Sequence, residues 1–308
     1  MSIQPSYLTD TARRRQAGSP HALQLALMQL NRERFTPGTP RDDWREDILR
    51  LAQLSLREGE FLESERRAVS AQAAQAPREV AAFVRWFEAL REHGPGQLDP
   101  LFDFLAERAT LEQVRWFVRQ EVAGEAGFDD LVALTQLRLP DRPKLELARN
   151  YWDELGRGKQ NGMHGPMLGR LAEALDACAS DPSAIVWEAL ALGNVLAGLA
   201  YNRRYAWHSL GALGAVELTA PTRAVKVVAA LERVGLDGEA VHYFKLHSTI
   251  DLVHWQGWRD EALVPLLAQQ PELAPSIAEG ALMRLCAGAR TFERYKREFS
   301  LSTGASRS

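Results

Sequence analysis

Val241-His-Tyr-Phe-Lys-Leu-His247-Ser-Thr-Ile-Asp251-Leu-Val-His254-Trp-Gln-Gly-Trp258 is the stretch on which the reading of this chain turns. Read as one helix at about 100° per residue, it puts Asp251 and His254 roughly 40° and 20° to either side of His247. The three share one face. That face is hard to explain as packing, because a core-facing stripe is apolar and a solvent-facing one rarely gathers two imidazoles and a carboxylate. Tyr243, Phe244, Leu246, Ile250, Leu252, Val253 and Trp255 surround it, so the helix is expected to be buried on more than one side. Buried ionisable groups need partners, and a divalent cation suits two neutral imidazoles with a carboxylate. A hydrogen-bonded His–Asp–His cluster without metal is the competing reading.

Working outward, apolar residues recur at three- and four-residue intervals, and the Val/Ile/Thr alternation that marks strands is absent. The chain reads as all-α, with about ten to twelve helices. His93-Gly-Pro-Gly96 is a plausible boundary, which divides the chain into a flexible tail (1–18), a helical N-terminal extension (19–95), a core (96–299) and a disordered tail (300–308). Thr110-Leu-Glu-Gln113 is a capping box, and the helix it opens carries Val114, Phe117, Val118, Glu121 and Glu125 along one stripe. A helix over about 143–155 ends in Asn150-Tyr-Trp-Asp-Glu154-Leu-Gly-Arg-Gly158. Gly156, Gly158, Gly162 and Gly165 then interrupt it, so that Glu154 closes one helix and His164 opens the next. Asp181-Pro182 reads as the cap and first turn of a buried helix extending to Tyr201. Helices over 203–218 and 221–234 follow, then the His247 helix and further amphipathic segments over 260–299.

Composition narrows the function. The 308 residues carry a net charge of −3, with 25% charged side chains, which offers no electrostatic footprint for nucleic acid or anionic lipid. The apolar stretch 184–201 contains Glu188, Asn194, Gly193 and Gly198, and a membrane span tolerates these poorly. Two cysteines, Cys178 and Cys286, form no paired motif. The 1–20 segment has no apolar core of a secretory signal, and a reducing cytoplasm is expected.

Glu121, Glu154, His164, His247, Asp251 and His254 thus stand as three carboxylates and three imidazoles from separate helical segments. Such a set suits two Fe(II) or Mn(II) ions better than one structural zinc, which takes four ligands rich in thiolate. A dinuclear iron site is the inference. Glu217 follows a buried pattern and reads either as support for a ligand histidine or as a cap or surface carboxylate. His208 and His242 lack partners at metal spacing and read as structural. Tyr151, Trp152, Tyr243, Phe244 and Trp255 read first as core, second as pocket walls or an electron donor.

The block Asn150 to Gly158 with His164 downstream, followed by Tyr243-Phe-Lys-Leu-His247-x-x-x-Asp251-x-x-His254, resembles the haem-oxygenase-like diiron oxidases and oxygenases, the iron-containing redox enzymes. The resemblance spans about residues 100–270. It implies a haem-oxygenase-like helical bundle in which side chains hold iron where the namesake holds haem. Carried over to this chain, it makes Glu154, His164, His247, Asp251 and His254 metal ligands, with a carboxylate from the first core helix that is Glu121 or its rival Glu125. It departs from ferritin-like proteins, which pair two Glu-x-x-His motifs; here Glu239-x-x-His242 stands alone.

The implied activity is an O2-dependent oxidation of a small organic substrate by two ferrous ions, manganese being a second candidate metal. N-oxygenation, decarboxylation and C–C cleavage are the precedents. Two other classes stay open: a metal-independent enzyme of the same fold, thiaminase-like or quinone-forming, and a non-enzymatic helical metal-binding or interaction protein. Haem is not expected, since His21 and His93 are poorly placed for a proximal ligand. O2 and the small substrate are the expected partners, without nucleic acid or membrane, and the oligomeric state is left open, a homodimer included.

Overall fold

The computed structural model describes residues 19–301, apart from Ala126, Ser180 and the side chain of Glu125. Residues 1–18 and 302–308, read above as tails, lie outside the described residues. Every regular element among those described is helical: α1 (Pro20–Phe35), α2 (Trp44–Ala73), α3 (Val80–His93), α4 (Pro100–Glu107), α5 (Leu111–Glu125), α6 (Phe128–Thr135) and α7 (Asp141–Glu154). After two short 3-10 turns come α8 (His164–Ala174), α9 (Trp187–Tyr201), α10 (Ala206–Arg233), α11 (Gly238–His247) and α12 (Ile250–Gly257). A π-helical turn, Trp258–Leu263, leads into α13 (Val264–Gln269), and α14 (Ala274–Glu298) ends the bundle.

The long helices α10 and α14 form the spine. They run antiparallel with their backbones in contact: a Cβ on Gly211 would lie 1.9 Å from the Ile277 carbonyl oxygen, and one on Gly280 would lie 1.8 Å from that of His208. Only glycine allows this approach. Helix α9 is buried from Glu188 to Ala200 and packs against α1, α5 and α14. Its one amide, Asn194, is satisfied by Gln24 and Asn31 of α1 at 2.8 Å each, as a polar group buried in an apolar helix requires.

Two large apolar cores result among the described residues, beside a small cluster of Ile185, Ala189 and Leu190. One gathers Leu62, Phe83 and Phe87 of the N-terminal helices with Leu196, Trp255 and Leu282. The other gathers Phe102, Phe117, Leu171, Val227, Tyr243 and Tyr295. The cavity described below is walled by both, with Phe128 from the first and Leu168 from the second. No helix among the described residues is long and apolar enough to cross a membrane.

Local expectations meet the structure unevenly. The capping box is formed: the Gln113 side chain accepts from the Thr110 N–H at 2.9 Å, and the Thr110 hydroxyl accepts from the Gln113 N–H at 3.3 Å. Asp181, by contrast, caps only the 3-10 turn Pro182–Ala184, bonding the Ser183 N–H at 2.8 Å. Helix α9 starts later, at Trp187, where the Gln120 side chain reaches over from α5 to accept the Val186 N–H at 2.9 Å. Residues 206–233 are one helix, not two with a boundary before Pro221. Pro221 cannot donate to the carbonyl of Glu217, yet both halves are anchored by burial, Leu218 in the first core and Val227 and Leu231 in the second.

The largest departure is in the opening stretch itself. Residues 241–258 are not one helix: α11 stops at His247 and α12 starts at Ile250. The Ser248 hydroxyl donates to the Lys245 carbonyl at 2.7 Å and the Thr249 hydroxyl to the Leu246 carbonyl at 3.1 Å. Side-chain donors thereby take carbonyls of the last turn of α11, an alternative to continuing the ladder that Ser and Thr characteristically offer.

Candidate metal centre

The break between α11 and α12 sends His247 one way and Asp251 with His254 another. Two groups of three donor residues result, Glu154–His164–His247 and Glu217–Asp251–His254; within each, one donor atom per residue lies within 4.8 Å of the other two. All but His247, which is half-buried, are buried.

In the first group, Glu154 is the last residue of α7 and His164 the first of α8. The chain between them turns back on itself. Gly156 has φ +61°, and a Cβ there would lie 2.3 Å from the carbonyl carbon of Gly162, so glycine is needed for both its conformation and its close approach. The turn brings Glu154 Oε2 to 2.7 Å from His164 Nδ1, although that Nδ1 has no hydrogen-bond partner among the described residues. The His247 ring stands edge-on to that of His164, with centroids 4.7 Å apart. Its Nδ1–H donates to the Tyr243 carbonyl at 2.7 Å, which fixes the tautomer and leaves the Nε2 lone pair to the cluster.

The second group is held from behind. Glu217 comes from the middle of α10, and its Oε1 accepts from the Asn150 amide at 2.6 Å while Oε2 lies 3.3 Å from His254 Nδ1. Asp251 Oδ1 lies 3.8 Å from the same nitrogen, one helical turn away. On the far side of the ring, His254 Nε2 lies 3.4 Å from Asp153, whose other oxygen accepts from Arg157 at 2.5 Å. The groups adjoin through Glu154: its second oxygen, Oε1, is 4.0 Å from His254 Nδ1.

Electrostatics set the protonation. Burial, and then the charge of Glu217, push the Glu154 carboxyl well above the usual carboxylate range. Burial, and then a neighbouring imidazole, bring His164 and His247 down to about 4 each, so both are neutral ligand-ready rings near pH 7. Burial alone would depress His254 as well, but Glu217, Glu154 and Asp153 outweigh it and raise that ring to about 9. Protein side chains alone therefore leave the cluster in need of positive charge, here taken as a proton on His254. Convergent nitrogen and oxygen donors, buried and short of hydrogen bonds, are what a divalent iron or manganese site provides, and the residues fit that group.

Residues 115–289 match the family described as iron-containing redox enzymes, and that is more than half of the 308 residues. The chain belongs to this family. A search of curated proteins finds no match. Among solved structures, a CADD-like protein of unknown function from Nostoc punctiforme PCC 73102 superposes with a TM-score of 0.51 at 19% identity, over 79% of this chain and 98% of that one. The fold of this iron-containing redox enzyme is accordingly the all-α haem-oxygenase-like bundle.

Of the six residues singled out from the sequence, five stand in the two groups and Glu121 stands in neither. Glu121 is half-buried and lines the cavity beside the groups, 3.4 Å from the Tyr295 hydroxyl that donates to it. Burial raises its carboxyl, against Arg223, Arg284 and Tyr295. The side chain of its rival Glu125 lies outside the described residues. The remaining member of the second group is Glu217, which the sequence leaves between a supporting role and a cap or surface role. Asn150 and Asp153 also carry weight that was not assigned to them, although both fall inside the quoted block 150–158. His208 is bonded to Glu279 at 2.9 Å and His242 is exposed, away from either group.

Proposed function

We propose that the chain is a non-haem diiron oxidase or oxygenase that uses O2 to oxidise a small organic substrate. The observation that carries this reading is a pair of adjoining, buried, mixed nitrogen and oxygen donor sets with one carboxylate, Glu154, facing both. Glu154, His164 and His247 would hold one ion, and Glu217, Asp251 and His254 the other. Manganese suits the same donors. When bound, two ferrous ions would supply two electrons to O2, the remainder coming from the substrate that the protein orients.

The chain's own contribution is position, dryness and proton placement. Tyr243 fixes the tautomer of His247, and Asn150 holds one oxygen of Glu217, so the opposite lone pairs stay aimed inward. Asp153 faces His254 Nε2 and is itself held low by Arg157 and His254 against the effect of burial, so it remains an anion able to orient that ring's N–H. The adjoining cavity, about 90 Å³, is walled by Phe128, Leu168, Leu192, Tyr243 and Phe244, which keep bulk water from the donors.

Anaerobic titration of the metal-free protein with Fe(II) tests the reading. The expected end point is two irons per chain, followed by O2 uptake when air is admitted. Iron at or below one per chain together with no O2 uptake would overturn it.

A further inference from the structure

Helix α7 has two faces of different chemistry. Its inner face turns Asn150, Asp153 and Glu154 toward the metal groups. Its outer face carries Arg142, Leu145, Arg149 and Trp152, which at helical spacing form one stripe of alternating cationic and apolar side chains. All four are exposed, Leu145 at 65% and Trp152 at 52%. Trp152 is nonetheless held in place: a Cβ on Gly158 would lie 2.9 Å from its ring, so the indole rests on the turn that follows α7. Over residues 138–159 the exposed cations are Arg138, Arg142, Lys144, Arg149, Arg157 and Lys159, and the exposed carboxylate is Asp141. Glu146 and Asp153, which pair with Arg149 and Arg157, are turned inward with side chains 5% and 11% exposed, so both guanidiniums face solvent, at 61% and 69%. Arg142 is shared with Glu261 of the neighbouring π-helical turn at 2.6 Å. In a chain of net charge −3 this face is locally basic.

Asp153 joins the two faces. One of its oxygens accepts from Arg157 at 2.5 Å, and the other lies 3.4 Å from His254 Nε2. The outer stripe therefore stands only the thickness of one helix, about 10 Å, from the donor groups. In the diiron reading, bringing O2 to two waters takes two electrons from the ferrous pair and two from the substrate, so two electrons must return to the metals from outside in every turnover. An ordered, exposed tryptophan among cations is the composition of a protein-binding anchor. Charge steering with a small contact area suits the brief encounters of electron carriers. We propose that the outer face of α7 docks an acidic one-electron carrier protein, with Trp152 as the apolar anchor and Arg138, Lys144, Arg149 and Lys159 meeting the carrier's carboxylates. The proposal rests on the diiron reading for the electron acceptor. Two successive encounters each pass one electron from the carrier's reduced iron–sulfur or flavin group inward past Asp153. Each carrier leaves oxidised, the ferric pair becomes ferrous, and no bond is made or broken.

The test is anaerobic binding of a plant-type [2Fe–2S] ferredoxin, an acidic carrier, to the full iron-loaded chain. Binding should weaken at least about tenfold between about 50 and 300 mM NaCl, as an encounter between opposite charges does. Trp152→Ala and the double variant Lys144→Glu, Lys159→Glu should each weaken it by at least about tenfold, and the lysine variant should keep its iron content and melting temperature. Reduction of the oxidised protein by reduced ferredoxin, read from the return of the ferredoxin's visible absorption, should slow in both variants, while reduction by dithionite should not. No binding to the parent protein, or binding that ignores both variants, would overturn the proposal. So would equally lysine-dependent binding to phosphatidylglycerol vesicles, because the face would then be attracting anionic surfaces of any kind. If the protein takes up no iron yet binds ferredoxin with the same dependence on Trp152 and the lysines, the diiron reading falls and the docking surface stands.

Discussion

The two donor groups are built by different means. Glu154, His164 and His247 all stand at helix ends, so turns set their geometry: the glycine turn after α7 and the Ser248-Thr249 break after α11. Glu217 stands in the middle of α10, while Asp251 and His254 stand in the first and last turns of the short α12, so the second group shares the break but is also held by side chains behind it: Asn150 on Glu217 and Asp153 on His254. Their protonation differs in parallel, with neutral rings near pH 7 in the first group and a charged His254 in the second. A turn-built half and a packing-built half of one centre should fail differently, and the differences can be measured.

Glu154 faces both halves, so its loss should have the largest effect. Glu154→Ala is expected to take the iron content from two per chain toward zero, and O2 uptake down by at least about a hundredfold, beyond the 10- to 100-fold typical of residues that only support a ligand. Retention of one firmly bound iron would show that the halves are independent. The next largest effect is the loss of one half alone: His164→Gln and Glu217→Gln should each leave one iron per chain by metal analysis, and loss of both irons from either variant would erase the distinction.

The same contrast decides what could be read from sequence. Turn-built positions advertise themselves: the glycines of 156–165 placed Glu154 and His164 at facing helix ends before any coordinates, and the 247-251-254 spacing marked three donors. Ser248 and Thr249 gave no comparable sign, because both residues occur inside helices and only hydroxyl bonds to Lys245 and Leu246 reveal that they stop one. Glu217 was obscured by its surroundings. A single carboxylate among Leu213, Ala215, Val216 and Leu218 follows a buried pattern, but with Pro221 taken for a helix boundary it also looked like a helix-end cap. Glu121, on a stripe with Val114 and Phe117, lines the cavity beside the groups without entering either, and there it faces Tyr295, Arg223 and Arg284.

Perturbing the supports should separate the halves without touching a donor. Asn150→Ala removes the bond to Glu217 Oε1 and should weaken only the second ion, by about 10- to 100-fold in competition with a chelator. Gly156→Ala forces a Cβ into Gly162 at positive φ, strain of about 1–3 kcal/mol before the backbone clash is counted. It should lower the melting temperature and loosen the first ion. A variant of either kind that weakened both ions equally would mean that the turn and the packing are coupled.

The subtlest distinction is the pH dependence of the metal-free protein, where the halves should pull in opposite directions. His164 and His247 have folded-state values of about 4, below the ordinary value of 6.5, so from pH 6.5 down to about 4 the unfolded chain binds protons that the folded chain does not, and stability falls as pH falls. His254 has a folded-state value of about 9, so between pH 6.5 and 9 the folded chain holds a proton that the unfolded chain gives up, and stability falls as pH rises. Glu154, raised above its ordinary value of 4.5, makes stability fall as pH rises from about 4.5 upward, so it offsets part of the acid limb as well as adding to the alkaline one. Melting temperatures of chelator-treated protein should therefore drop on both sides of about pH 6.5. His254→Gln should flatten the alkaline limb and leave the acid limb, while the double variant His164→Gln, His247→Gln should do the reverse. Iron should flatten both, because a bound cation replaces the proton on His254 and holds the other two rings neutral. If each single-group variant moved both limbs together, the six residues would be titrating as one unit, and the separation between a turn-built half and a packing-built half would be a matter of backbone alone.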